Sequence, residues 1–157
     1  MSLSFIYIHA PTPSRIEDTV VKTNSVDAAC AYAQSPSSPL QIDRRFIIGG
    51  AELYQHALTS SQTLYTLDRI LLTRILEPEF PECDVFLPEF RSAEQIAAEN
   101  EGSPPAEATE TNGSHQWRRA AHKELSSWVG FNVPSGIQEE KGVKYQFQMW
   151  VRESELN

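Results

Sequence analysis

The stretch Arg45-Phe46-Ile47-Ile48-Gly49-Gly50-Ala51-Glu52-Leu53-Tyr54 decides how the rest of the chain is read. Phe46, Ile47 and Ile48 are apolar at consecutive positions, so neither face of the strand they form expects water. A run of this kind predicts an inner, parallel-type strand covered on both sides. Gly49 and Gly50 then permit backbone shapes that a side chain forbids. A helix starting near Ala51 directs its amide-rich end at whatever sits above the glycines, which suits a phosphate or another anion. Tight packing of strand against helix is the other reading of the same turn.

Upstream, Phe5-Ile6-Tyr7-Ile8 predicts a strand of β-branched and aromatic residues, ended by Pro11 and Pro13. Thr19 to Lys22 reads as a second short strand. Ser25 is placed to cap a helix over Val26 to Gln34, with Asp27 in its first turn. Ser35 to Pro39 is a loop. Downstream, the helix from Ala51 reaches about Leu58, and Thr59-Ser60-Ser61 stops it. Asp68 to Ile75 is the next strong strand, in which Thr73 is the one polar residue of an apolar stretch. Its hydroxyl is either bonded within a core or offered to a ligand. Glu77 to Asp84 is an acidic, proline-broken loop, and Val85 to Pro88 returns to apolar character.

Residues 91–115 are of another kind, dominated by Glu, Ala, Ser, Pro and Thr, with Ile96 their one large apolar side chain. They predict a disordered or loosely helical surface insertion. Trp117 reopens structured sequence. In the closing stretch Val143, Tyr145, Phe147, Met149 and Val151 alternate with Lys144, Gln146 and Gln148, a half-buried strand of period two. Glu139 to Gly142 supplies the turn before it. No internal repeat is found.

The chain has 157 residues, 40% of them apolar, which suits one domain with a real core. Its net charge of −8 argues against nucleic acid or an anionic membrane as partner. Cys30 and Cys83 have no metal-ligand spacing, so no metal site is expected and a reducing, cytoplasmic setting fits. No secretory leader and no membrane-spanning stretch is expected. His9, His56, His115 and His122 are scattered and read as surface residues.

Taken together, Phe46 to Tyr54, Leu72 to Ile75, Asp84 with Phe86 and Pro88, and Gln138 to Phe147 resemble dihydrofolate reductase in order and spacing, the closing segment being nearest to fungal members. The resemblance implies an α/β fold with a mixed, mostly parallel sheet and flanking helices, carrying the acidic insertion. It implies that the strand ending at Ile48 offers carbonyls to the pteridine and that a cis peptide joins Gly49 to Gly50. It implies that Gly50, Ala51, Glu52 and Leu53, with Gly49, line the phosphates and nicotinamide side of NADPH. Tyr54 then sits near nicotinamide and pterin, Thr73 supports the pterin, and Asp84 steadies the active-site loop.

The resemblance begins at about Phe5 and so covers the carboxy-terminal portion of the family. The expectation is an amino-terminally truncated domain without the first strands. No acid matches the family's proton donor, and Glu17 and Asp18 fall in the wrong part of the pattern, so no catalytic residue is assigned. Ile8-His9-Ala10 and Asn24 stand where the family places an arginine and a basic residue near the cofactor, and Val85 replaces a threonine. Losing the arginine removes bidentate contacts. The strand Arg45 to Ile48 is then expected to have two open edges, which invite a partner chain or self-association. Three functions follow as expectations: folate reduction that is weak or absent in this chain alone, a non-reducing small-molecule binder or repurposed enzyme on the same scaffold, and an assembly subunit using an open sheet edge.

Overall fold

The structure is a computed structural model that describes residues 6–9, 25–34, 44–59, 65–100 and 117–153. The predicted strand Thr19–Lys22, the loop Ser35–Pro39 and residues 101–116 lie outside the described residues. The chain divides into two compact units, Met1–Thr66 with Val85–Pro88, and Leu67–Asp84 with Glu89–Asn157.

The first unit holds β1 (Ile6–His9), α1 (Val26–Gln34), β2 (Arg44–Ile47) and α2 (Ala51–Thr59). Helix α1 has the predicted bounds, and its start is fixed as the sequence suggests. Ser25 Oγ accepts from the Ala28 amide at 3.1 Å, satisfying a first-turn donor that has no partner within the helix. Val26 and Cys30, one turn apart, are its buried residues. In α2 the residues Leu53, Tyr54, Ala57 and Leu58 make the inward stripe, with Ala57 buried.

Strand β2 differs from the expectation. It runs antiparallel to β1, with Ile6 opposite Ile47 and His9 opposite Arg44. The upstream strand therefore occupies one of the two edges expected to be open. A β-branched run leaves backbone donors and acceptors that must pair, and β2 supplies the partners. The strand also ends at Ile47, before the third apolar residue of the run. Ile48 is 59% exposed, and Phe46 and Ile47 are half-buried, so the double cover predicted for this run is not seen among the described residues.

The second unit is built on β6 (Val143–Arg152). Strand β6 is flanked by β3 (Arg69–Glu77) and β4 (Trp117–Arg119), and β5 (Gln138–Glu140) also pairs with it. All four described strand pairings of the chain are antiparallel. A mostly parallel sheet is thus not seen among the described residues. The β5–β6 link explains part of this locally. Lys141 (φ 51°) and Gly142 (φ 79°) form a two-residue turn with both φ positive, which is the hairpin geometry that matches strand twist.

One face of β6 carries the core. Met149 packs with Ala120, Leu125 and Val133, and Trp128, Val129, Phe147 and Val151 surround them. Helix α4 (His122–Val129) brings Leu125 and Trp128. The segment after α4 is tied to it twice. Val133 N donates to Ser126 Oγ at 3.2 Å, and His122 Nε2 lies 2.8 Å from Val133 O.

The other face was predicted to be solvated, and it is covered. Gln148 is 4% exposed and Trp150 is fully buried beside Phe90 and Trp117, with edge-to-face rings at 5.4 and 6.1 Å from Phe90. The cover comes from α3 (Ala93–Asn100), inside the stretch whose composition suggested disorder or loose helix. Ser92 and Gln95 form a reciprocal cap: Gln95 N donates to Ser92 Oγ at 3.2 Å and Ser92 N to Gln95 Oε1 at 2.9 Å. Gln95 Nε2 also donates to Trp117 O at 2.7 Å, which fastens the first turn to β4.

Candidate functional site

Residues Ile48 to Tyr54 come together because β2 ends at Ile47, one residue before the double glycine, and α2 begins at Ala51. Gly49 has φ 133°, a conformation that side chains rarely adopt, and the Gly49–Gly50 peptide is cis. The Gly50 carbonyl accepts from Leu53 N at 3.0 Å and from Tyr54 N at 3.1 Å, which winds the first turn of α2. The earlier amides of Ala51 and Glu52 have no acceptor within the helix. They form the positive end of the helix dipole, and a Cβ added to Gly50 would meet nothing within 4 Å among the described residues. The Tyr54 hydroxyl stands 4.0 Å from where a Gly49 Cβ would be, so the tyrosine leans over the turn from the helix side.

These features give an open backbone cradle at a helix N-terminus, suited to a phosphate group. Glu52 works against it, because its exposed carboxylate shares the same first turn. Arg44 and Arg45 on β2 are the cations nearest in sequence.

The other predicted site residues belong to the second unit. Thr73 lies on the exposed face of β3 with Leu71 and Ile75, opposite Phe147 of β6. A hydroxyl bonded within the core is therefore excluded for it. Asp84 is exposed in the irregular segment that follows β3, and Val85 is exposed beside it.

Two constellations escaped the sequence reading. In the first unit the Cys30 thiol is buried, which pushes its pKa up, while the Arg45 guanidinium hydrogen-bonds to it and draws it back. Burial likewise raises Tyr65, whose hydroxyl has no hydrogen-bond partner among the described residues. In the second unit Glu99, on the last turn of α3, receives Arg74, Arg91 and Arg119. Spacing could not reveal either cluster, since their members come from separate elements. Among the described residues no group of His, Cys, Asp and Glu could hold a metal ion, and no helix is long and apolar enough to cross a membrane.

No family model matches the chain. Its sequence is nonetheless similar to curated proteins over most of its length. It is 35% identical to the dihydrofolate reductase of Cryptococcus neoformans over 150 residues, 86% of this chain and 57% of that protein. It is 38% identical to the dihydrofolate reductase of Pneumocystis carinii over 117 residues, 74% of this chain and 45% of that protein. The pig enzyme of the same name is 30% identical over 126 residues, 80% of this chain and 49% of that protein. The chain spans about half the length of the curated relatives it matches. The α/β alternation, the β2–Gly49–Gly50–α2 turn and these matches agree: the chain resembles the dihydrofolate reductases of fungal type over part of their length.

Proposed function

We propose that the turn from β2 into α2 is the cofactor- and pterin-facing wall of a cleft for reduction of dihydrofolate to tetrahydrofolate, within one reductase-like domain. NADPH, when bound, supplies the hydride for that reaction. Gly49, Gly50, Ala51, Glu52 and Leu53 hold its phosphates and the nicotinamide side. Ile48 offers its backbone carbonyl to the pteridine, Tyr54 stands beside it, Thr73 supports the pterin and Asp84 steadies a loop. The observation that carries this reading is Gly49 at φ 133° leading into a helix N-terminus with open space over Gly50.

No acid among these 157 residues is matched to the proton donor. The chain by itself is therefore read as a binder of NADPH and pterin with little or no turnover, active only when a segment bearing that acid is supplied. The test is a thermal-shift and calorimetric titration with NADPH and dihydrofolate, run beside an assay of dihydrofolate-dependent NADPH oxidation. A rise in melting temperature without oxidation is expected, because ligands that bind only the folded state stabilise it. Absence of any shift overturns the cleft, and turnover at an ordinary enzymatic rate overturns the missing acid. Shifts with other small molecules and none with NADPH indicate a non-reducing binder.

A second reading is favoured by the apolar surface of the first unit. Ile48 is 59% exposed, Phe86 is 68% exposed, and β2 has one strand partner among the described residues. Such a surface suits a second copy or another chain. Native mass spectrometry showing a defined complex at micromolar concentration is the expected result of that reading, and a monodisperse monomer refutes it. Neither nucleic acid nor a membrane is proposed as partner, and a cytoplasmic setting is.

A further inference from the structure

Glu99 delivers one carboxylate among three guanidinium groups that arrive from different elements. Its Oε2 receives Nη1 of Arg91, from the loop before α3, and lies 3.4 Å from Nε of Arg74 on β3. Its Oε1 accepts from Nη1 of Arg119, on β4, at 3.2 Å and from Nε2 of Gln148, on β6, at 3.3 Å. The donors are held from behind. Arg119 Nη2 donates to Gln146 Oε1 at 2.7 Å, and Trp150 Nε1 donates to Gln148 Oε1 at 3.1 Å. Arg91 is clamped by Glu89 at 2.8 and 2.6 Å, and its side chain is only 6% exposed.

We propose that Arg74, Arg91, Arg119 and the Gln148 amide form a binding site for a small oxyanion of the phosphate class, which Glu99 occupies from within the chain. Charge supports this. Three cations face Glu99 and Glu89, the two carboxylates that touch them among the described residues, so the cluster as described keeps a positive excess in a chain whose net charge is −8. Burial lowers the pKa of Arg119, and Arg74 and Arg91 add to that against the pull of Glu99, so the crowding is felt at the centre of the site. Geometry supports it as well. Guanidinium forks match the oxygens of phosphate as they match a carboxylate. Three of the four donors stand on one hydrogen-bonded sheet, while the competitor sits on a helix with a single large apolar residue, Ile96. Arg74, the longest contact and the most exposed of the three arginines, marks the side open to water.

The experiment compares the full chain with Glu99→Ala, by calorimetry and thermal melting, in sodium phosphate and in sodium chloride at matched ionic strength. Matching the ionic strength removes screening as a cause. The variant is expected to bind phosphate and, at ten times its Kd, to melt about 4 °C higher than in chloride. The wild-type chain is expected to gain less than half of that, because Glu99 competes. Adding Arg119→Met to the variant is expected to abolish the gain. Equal melting of Glu99→Ala in the two salts overturns the proposal, and so does an equal phosphate gain in the double variant, which marks the general effect of an excluded salt. Should Glu99→Ala fail to fold, refolding yield in the two salts decides: recovery in phosphate alone supports the site, and failure in both refutes it.

Discussion

Replacing Gly49 by alanine tests the turn on which the fold and the site both depend. The nearest atom to an added Cβ is the Tyr54 hydroxyl at 4.0 Å, an ordinary contact, so no clash contributes. The whole cost arises from the backbone, because φ 133° lies where alanine is strained. Strain of this type costs about 1–3 kcal/mol. At about 2 kcal/mol the folded-to-unfolded ratio falls roughly 30-fold, since 1.4 kcal/mol is tenfold. For a chain of this size that corresponds to a drop in melting temperature of about 4–8 °C. The variant relieves part of the strain by rotating the peptide away from its native orientation, which spoils the cradle. Affinity for NADPH is therefore expected to fall at least about tenfold, the equivalent of 1.4 kcal/mol. Melting by circular dichroism gives the first quantity and calorimetric titration the second. A Gly49→Ala chain that melts and binds as the wild type does would refute the backbone argument, because it would mean that the turn accepts an ordinary residue.

Met149→Ala removes a side chain that is 1% exposed in the core of the second unit, and it should cost about 2–5 kcal/mol in urea denaturation. Arg118→Ala should cost about 1 kcal/mol or less, because its paired contacts to Glu124, both 2.9 Å, join side chains that are still more than a third exposed. Ser25→Ala deletes the cap of α1 and should lose about 1 kcal/mol, with faster hydrogen exchange confined to the first turn of that helix. Glu89 is held at about 2 by its hydrogen bonds to Arg91, below the ordinary 4.5, so its contribution is full above about 4.5 and fades as pH falls towards 2. Its carboxylate is 47% exposed, which makes the loss small, and Glu89→Gln should flatten that part of the acid limb in a pH series of melting temperatures.

Local signals were legible where one short segment settles its own structure. Ser25 and Asp27 mark the start of α1, and the alternation from Val143 to Val151 marks β6. Of the turn read at Glu139 to Gly142, Lys141 and Gly142 form it, while Glu139 and Glu140 belong to β5. Strand direction was not legible. Consecutive apolar residues at Phe46 to Ile48 are compatible with burial on two faces, yet they do not say which strand lies alongside, and β1 pairs antiparallel. Residues 91–115 read as disordered or loosely helical, and the ordered helix α3 within them goes further than either, although Ser92 and Gln95 carry the spacing of a reciprocal cap. Composition outweighed that signal, since the stretch has too little apolar surface to order itself by burial. Thr73 shows the limit of reading one face: alternation placed it on β3, and only the fold showed that its face is exposed.

Helices α3 and α4 cover the two faces of β6 by opposite means. Helix α4 contributes Leu125 to a cluster with Met149 and Val133, a non-directional attachment that depends on excluding water. Helix α3 contributes Gln95 to a backbone carbonyl of β4 and Glu99 to three arginines, a directional attachment that depends on charge. The difference follows from the strand between them. Its odd-numbered positions are apolar and need only bulk, while Gln146 and Gln148 present amide groups that cost free energy when covered unless bonded. A helix that covers those positions must therefore bring polar partners, and an acidic, alanine-rich segment can do so where a leucine-rich one cannot. The polar side of β6 thus accounts for a sequence that looks unstructured by composition yet is held in place from Arg91 to Glu99.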